Sequence, residues 1–175
     1  MVGVIEKVDA SLTKALSVKN ITENSRRAFK ITREGDMVVF RSTWKTKKLT
    51  VYFPASAFPT RKSLVNVRKL LYVMMKAGLE GTLHVKLVKE VPSLLGPADG
   101  KYKYNGEIFI RARTLRHLFH FSTLAHELVH ALQHVFDPHM PSDYTYFLKA
   151  FGYKKNPFEK QAFKWEDILA PRLFR

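Results

Sequence analysis

The sequence predicts an α+β fold in which a small mixed sheet packs on a long helix over residues 114–136 and on a last helix opened by Asn156-Pro157, with a basic β-hairpin added at the N-terminal side. Three observations predict it. β-Branched and aromatic runs recur over residues 37–53, 82–91 and 102–111; apolar residues recur at helical spacing over 63–77 and 124–135; and 175 residues, 46% hydrophobic, suffice for one well-formed core but not for two. Residues 1–60 read as a basic elaboration and 61–175 as the main unit, the two forming one compact body.

In chain order, residues 4–19 have a weak, mixed pattern and 20–30 read as a short polar helix. Met37 to Trp44 and Leu49 to Phe53, joined by the basic connector 45–48, form the hairpin. Pro54 and Pro59 end it. Leu64, Val67, Leu70, Leu71, Met74 and Met75 give the helix over 63–77 one apolar face, with Gly78 and Gly81 as stop signals. Thr82 to Val91 alternates as a strand does, 92–100 is a Pro- and Gly-rich loop, and the Asn105-Gly106 turn separates one or two further strands that end in Glu107 to Ile110. The strand at 107–110 is expected to offer its edge to an extended chain. Residues 141–153 fit no single period. Asn156 as N-cap and Pro157 as first helical residue start the last helix, which is expected to stop near Ala170, before Pro171.

With no cysteine, disulfides and thiolate metal sites are excluded, so any metal must be held by His, Asp or Glu. No stretch approaches the ~20 apolar residues that span a bilayer, and the N-terminus lacks a signal-peptide layout, so no membrane span and an intracellular location are expected. The net charge of +15 attracts nucleic acid, acidic proteins or anionic surfaces without choosing among them.

The segment His126-Glu127-Leu128-Val129-His130 lies within the long helix. Residues four apart share a helix face, so His126 and His130 can chelate one ion while Glu127 sits about 100° round the axis, near the ion's open side. Zinc held by three protein ligands keeps a water whose pKa falls to ~7; Glu127 can accept that water's proton as it attacks a peptide carbonyl and pass it to the leaving amine. Random order of this composition gives roughly one such motif per hundred chains. Leu124, Leu128, Ala131, Leu132 and Val135 cluster on the opposite side of the helix, as they would if the histidines faced a site.

Two histidines hold zinc poorly, and a third ligand is expected downstream. His134 lies about 12 Å along the axis from His126, too far to share the ion, and reads as a supporting or surface residue. His139 could return on the loop after Asp137-Pro138. Glu159 stands in the first turn of the last helix, where it could reach the metal or cap its own helix.

Glu107 to Ile110, then Thr123 to Gln133, then Asn156-Pro157-Phe158-Glu159 with Ala162 resemble the zincin metallopeptidases, and more narrowly the gluzincins, including small intracellular members of the ImmA/IrrE type. The resemblance spans residues 64–170 or so. It implies a zincin-like fold, a Zn2+ cofactor, His126, His130 and Glu159 as ligands, Glu127 as general base, and a protein or peptide substrate. SprT-like peptidases, also basic and intracellular, use a third His, which would be His139 here. The metzincin pattern is absent, since Gln133 and Phe136 occupy its Gly and His positions. The Asp that thermolysin-like enzymes carry four residues after the Glu ligand is replaced by Phe163, so the imidazoles must be oriented by other groups, with Asp143 or Asp167 as candidates. Tyr144, Tyr146 and Tyr153 (or His139) are candidates for the oxyanion donor.

The N-terminal half carries a second candidate surface. Arg41, Lys45, Lys47 and Lys48 surround Trp44 on the hairpin, a pattern that can track phosphates and stack a base, or recruit an acidic protein. The alternative reading for Trp44 is a core residue and for the cations a solvated face.

Overall fold

A computed structural model describes residues 2–91, 98–112 and 121–174. Over these residues it is an α+β fold of six α-helices and a six-stranded mixed sheet, in chain order α1 (Val2–Leu16), α2 (Ile21–Ala28), β1 (Phe29–Glu34), β2 (Met37–Ser42), β3 (Leu49–Pro54), α3 (Arg61–Ala77), β4 (Gly81–Val88), β5 (Gly100–Tyr102), β6 (Glu107–Arg111), α4 (Phe121–Phe136), α5 (Met140–Phe151) and α6 (Pro157–Leu173). The spatial strand order is β1-β2-β3-β4-β6-β5.

The hairpin forms between β2 and β3 as the sequence predicts, with Phe40 opposite Val51. A strand missed in the sequence, β1, extends it: Gly35, at φ 60°, makes the tight turn that pairs Glu34 with Met37. The hairpin is continuous with the rest of the sheet, because β3 pairs in parallel with β4 through the α3 crossover and β4 pairs in parallel with β6. β6 is flanked by β4 and β5, so the edge expected at residues 107–110 is closed; the short strand β5 forms that edge instead.

One face of the sheet is apolar. Leu49, Val51, Phe53, Leu83, Val85, Ile108 and Ile110 alternate along their strands and join α1, α3, α4 and α6 in a single core. On α4, Leu124, Leu128 and Leu132 are fully buried, each contributing roughly 1.5–3 kcal/mol. Val135, expected in the same stripe, is exposed near the helix end. The N-terminal pattern hid the helix α1, whose Val8, Leu12 and Ala15 enter the core. α3 begins with a capping box between Thr60 and Ser63 and ends at Gly78. The predicted start of the long helix, residues 114–120, lies outside the described residues, as does most of the loop expected at 92–100.

α6 begins where the sequence places it: the Asn156 side chain accepts from the Phe158 N–H at 3.0 Å and Pro157 follows. It does not stop before Pro171, which sits in its last turn. There the missing N–H removes only one bond, and the Phe174 N–H still reaches Ala170 O. Among the described residues, no helix is long and apolar enough to cross a membrane.

α1 is tied to α6 by Asp9, whose carboxylate accepts from Trp165 Nε1 (2.7 Å), Gln161 Nε2 (2.9 Å) and Lys164 Nζ (3.2 Å). Partial burial opposes its charge, but these donors lower the Asp9 pKa below its ordinary value. Asp9→Ala strands the buried Trp165 and Gln161 donors and is expected to cost about 1–3 kcal/mol in urea unfolding at pH 7. Because the folded pKa is depressed, the difference from wild type should be full above pH ~4 and shrink as pH falls through the folded value.

Candidate metal centre

α4 and α6 pack against each other, and the contact closes over the predicted motif. His126, Glu127, His130 and Glu159 are all buried. His126 Nε2 lies 3.0 Å from Glu159 Oε2, His130 Nε2 lies 3.2 Å from Glu159 Oε1, and the two Nε2 atoms are 3.2 Å apart. Among the described residues, these three side chains form the one group of His, Asp or Glu arranged to hold a metal ion.

The opposite nitrogen of each ring shows which way the lone pairs point. His126 Nδ1 lies 2.8 Å from Glu166 Oε2, and His130 Nδ1 lies 2.8 Å from Gln133 Oε1. Both partners are acceptors, so both Nδ1 atoms carry hydrogen and each neutral imidazole presents an Nε2 lone pair to the centre. The orientation of Gln133 is itself fixed, since its Nε2 donates to Phe158 O (2.9 Å) and Gln161 Oε1 (3.0 Å). Gln161 is fixed in turn by donating to Ile5 O (2.7 Å) and Asp9 Oδ1. A relay of amides thus runs from α1 to His130 and determines its tautomer.

Two lone pairs and a carboxylate that converge in a buried space repel one another unless a cation lies among them. Without a metal, protons must serve. Burial works against the imidazolium of His126, yet hydrogen bonds with Glu159 and Glu166 and the charge of Glu127 raise its pKa from 6.5 to about 10. His130 is also raised, burial being outweighed by Glu159. Burial likewise opposes ionised Glu159, but His130 and His126 hold it far below the ordinary carboxylate range. Three carboxylates around two imidazoles make a site with a deficit of positive charge, the chemistry of a divalent-cation centre.

Glu127 is not in the ligand group. Burial, the largest influence, raises its pKa; the two histidines and a backbone hydrogen bond from Tyr102 on β5 pull the other way. β5 approaches so closely that a Cβ on Gly100 would meet Glu127 Oε1 at 3.0 Å and Thr123 Cγ2 at 2.7 Å, which is why this position is glycine.

Several expectations change. His139, the alternative ligand, is exposed at the start of α5, where its N–H donates to Asp137 Oδ1. Asp167 is exposed and Asp143 lies beside Asp137, which raises its pKa; Glu166 and Gln133 orient the imidazoles instead. Glu166 had a readable signal, since it stands seven residues after Glu159 and therefore on the same helix face. Tyr144 donates to Glu159 Oε1 at 2.6 Å, and its pKa is strongly raised by burial and by that carboxylate. Tyr153 is raised by burial and then by Glu159, whereas Tyr146 is exposed. Tyr104, which no sequence pattern singles out, is raised by burial to about 12, with Tyr102, Glu159 and Glu127 adding to the effect. His134 is half-buried, 2.9 Å from the Tyr102 hydroxyl.

On the hairpin, the Arg41 guanidinium contacts both oxygens of Glu34 and lies near Tyr52. Trp44 is partly buried, edge-on to Tyr72 with Lys76 over its ring. Lys45 and Lys48 are exposed and Lys47 is half-buried.

Comparison with protein families, curated proteins and solved structures gives no match. The capacity to hold a metal ion therefore rests on the geometry of the three side chains.

Chelator-stripped protein reloaded with Zn2+ is expected to bind one ion per chain by atomic absorption, with loss of the ion in His126→Ala, His130→Ala and Glu159→Ala and retention in His139→Ala. Glu166→Gln and Gln133→Ala are expected to weaken binding ~10–100-fold in competition with a chromogenic chelator. Stability should respond to pH with opposite signs in the two forms. Zinc requires neutral imidazoles, so its stabilisation is lost as pH falls. In stripped protein the raised His126 contributes stability that is complete below pH 6.5 and lost as pH rises through about 10, measured by thermal unfolding.

Proposed function

We propose that the protein is a zinc-dependent metallopeptidase with a zincin-like, gluzincin-type site, in which His126, His130 and Glu159 hold Zn2+ and Glu127 is the general base. One observation carries the reading. The two Nε2 atoms lie 3.2 Å apart and the Glu159 carboxylate offers a different oxygen to each, at 3.0 Å from His126 and 3.2 Å from His130, spacings close to the ~3.3 Å between neighbouring donor atoms bound 2.0–2.1 Å from a tetrahedral zinc. Two imidazoles and a carboxylate suit zinc, and three protein ligands leave a fourth position, as hydrolytic rather than structural sites do.

Zinc held there would supply an acidified water and polarise a peptide carbonyl. The chain's own residues supply the rest. Glu127, buried beside the ligands and raised above its ordinary pKa, accepts the water's proton and returns it to the leaving amine. The Tyr102 backbone holds its carboxylate on the side of β5. Tyr144, committed to Glu159, is a positioning residue. Tyr153 also hydrogen-bonds Glu159, whereas Tyr104, partly exposed and near enough to Glu159 and Glu127 to feel their charges, has no such commitment and is the favoured donor to the developing oxyanion.

Zinc-loaded protein is expected to hydrolyse an unfolded protein such as reduced, alkylated casein. Glu127→Gln should keep the zinc and lose ~10²–10⁴-fold in rate. Gly100→Ala should also keep zinc but lose activity, because its methyl group displaces the Glu127 carboxylate. A zinc-loaded wild type without hydrolysis, or an undiminished Glu127→Gln, would contradict the proposal.

A further inference from the structure

Beside the metal centre lies a surface that, Tyr153 apart, the hydrolytic chemistry does not use. α5 buries only Met140 among its twelve residues. Tyr146 (66% exposed), Phe151 (55%), Tyr153 (41%) and Phe163 (44%) account for four of the six large hydrophobic side chains exposed on the described chain. They are linked to the site. The Phe163 ring lies 4.6 Å from the His126 ring and 6.2 Å from that of Tyr153. Gly152, at φ 78°, turns the chain from Phe151 into Tyr153, and Phe147 stacks on Phe151 at 6.0 Å and meets Tyr146 at 5.1 Å. The exposed rings thus form two groups, one against a ligand and one on α5, joined by the chain through Gly152.

The surface's exposed charge is predominantly positive, with Asp143 and Asp167 at its two ends. Lys149, Lys154, Lys155 and Lys160 are exposed along the same stretch, and none has an ion-pair partner among the described residues. Between Tyr144 and Lys164 the only acidic residue is the buried ligand Glu159. Rings offer apolar area and the ammonium groups offer attraction and register, so a partner that fits both must carry apolar side chains and negative charge.

We propose that this surface is where substrate docks, and that the substrates are polypeptide segments in which aromatic or large aliphatic side chains alternate with Asp and Glu. The inference rests on the peptidase reading and specifies its substrate class. Phe163, in contact with a ligand ring, places the surface where a chain entering the site must lie, which favours a polypeptide over other anions that also stack on or insert between aromatic rings.

The test uses full-length, zinc-loaded Glu127→Gln protein, which should bind substrate without consuming it. Fluorescence anisotropy would compare a labelled peptide alternating Phe and Leu with Asp and Glu, its counterpart with Lys for the acids, and its counterpart with Ala for the apolar residues. Oligothymidylate and phosphatidylserine vesicles complete the set. The acidic apolar peptide is expected to bind at least ~10-fold more tightly than either counterpart. The exposed double variant Lys154→Glu/Lys155→Glu should abolish or invert the charge preference, and Tyr146→Ser/Phe151→Ser should abolish the apolar one. Equal binding of the acidic and basic peptides, indifference to both double variants, or tighter binding of oligothymidylate or vesicles would overturn the proposal. The peptidase reading fails separately: wild type that binds the acidic peptide with these preferences yet cleaves nothing would overturn that reading, whereas cleavage of casein with no preference would overturn the docking surface alone.

Discussion

Two imidazole lone pairs and a carboxylate are held about 3 Å apart in the buried contact between α4 and α6. Such an arrangement is unfavourable unless positive charge is supplied, and the surroundings prevent escape from it. Glu166 and Gln133 present oxygen to the outer nitrogen of each ring, so neither ring can turn its N–H inward while neutral. Gln133 cannot flip without losing its bonds to Phe158 and Gln161, nor Gln161 without losing those to Ile5 and Asp9. The demand for a cation is thus built into the hydrogen-bond network as well as into the ligands.

The rest of the fold delivers those groups to one place. The apolar side of α4 is anchored in the core beneath the sheet, leaving its histidine side to α6. α6 brings Glu159 from its first turn and Glu166 two turns later, and its start is set by Asn156 and Pro157. α1 closes the relay through Asp9. On the other side, β5 comes within van der Waals reach of Glu127 only because residue 100 is glycine. Secondary structure, packing and electrostatics therefore converge on the same few side chains.

The sequence disclosed what depends on local periodicity. The motif on α4, the β2–β3 hairpin and the cap of α6 were legible because each follows from spacing or from cap chemistry, whereas Glu159 is preferred to His139 as third ligand only through the resemblance to the gluzincins. What depends on distant pairing was not. Asp9 meets α6 across about 150 positions of chain, and no local pattern signals that contact. α1 escaped notice because its buried residues are few and interrupted by Thr, Lys and Asp. β1 is hidden although Gly35 and Asp36 mark its turn, because its first residues, Phe29 and Lys30, directly continue the polar helical stretch before them. Glu166 is legible as the continuation of the Glu159 face by two turns, beyond Phe163, which stands one turn on. Trp44 illustrates the converse: a basic hairpin suggested an open stacking ring, and packing against Tyr72 half-buries it.

The central claim is that one ion sits among His126, His130 and Glu159 with a position left open. Anomalous diffraction at the zinc absorption edge from crystals of zinc-loaded protein tests it most directly. The account predicts a single peak within bonding distance of both Nε2 atoms and the Glu159 carboxylate, with a solvent molecule completing the shell. A peak elsewhere, a shell that excludes Glu159, or a fourth ligand supplied by the protein would contradict it.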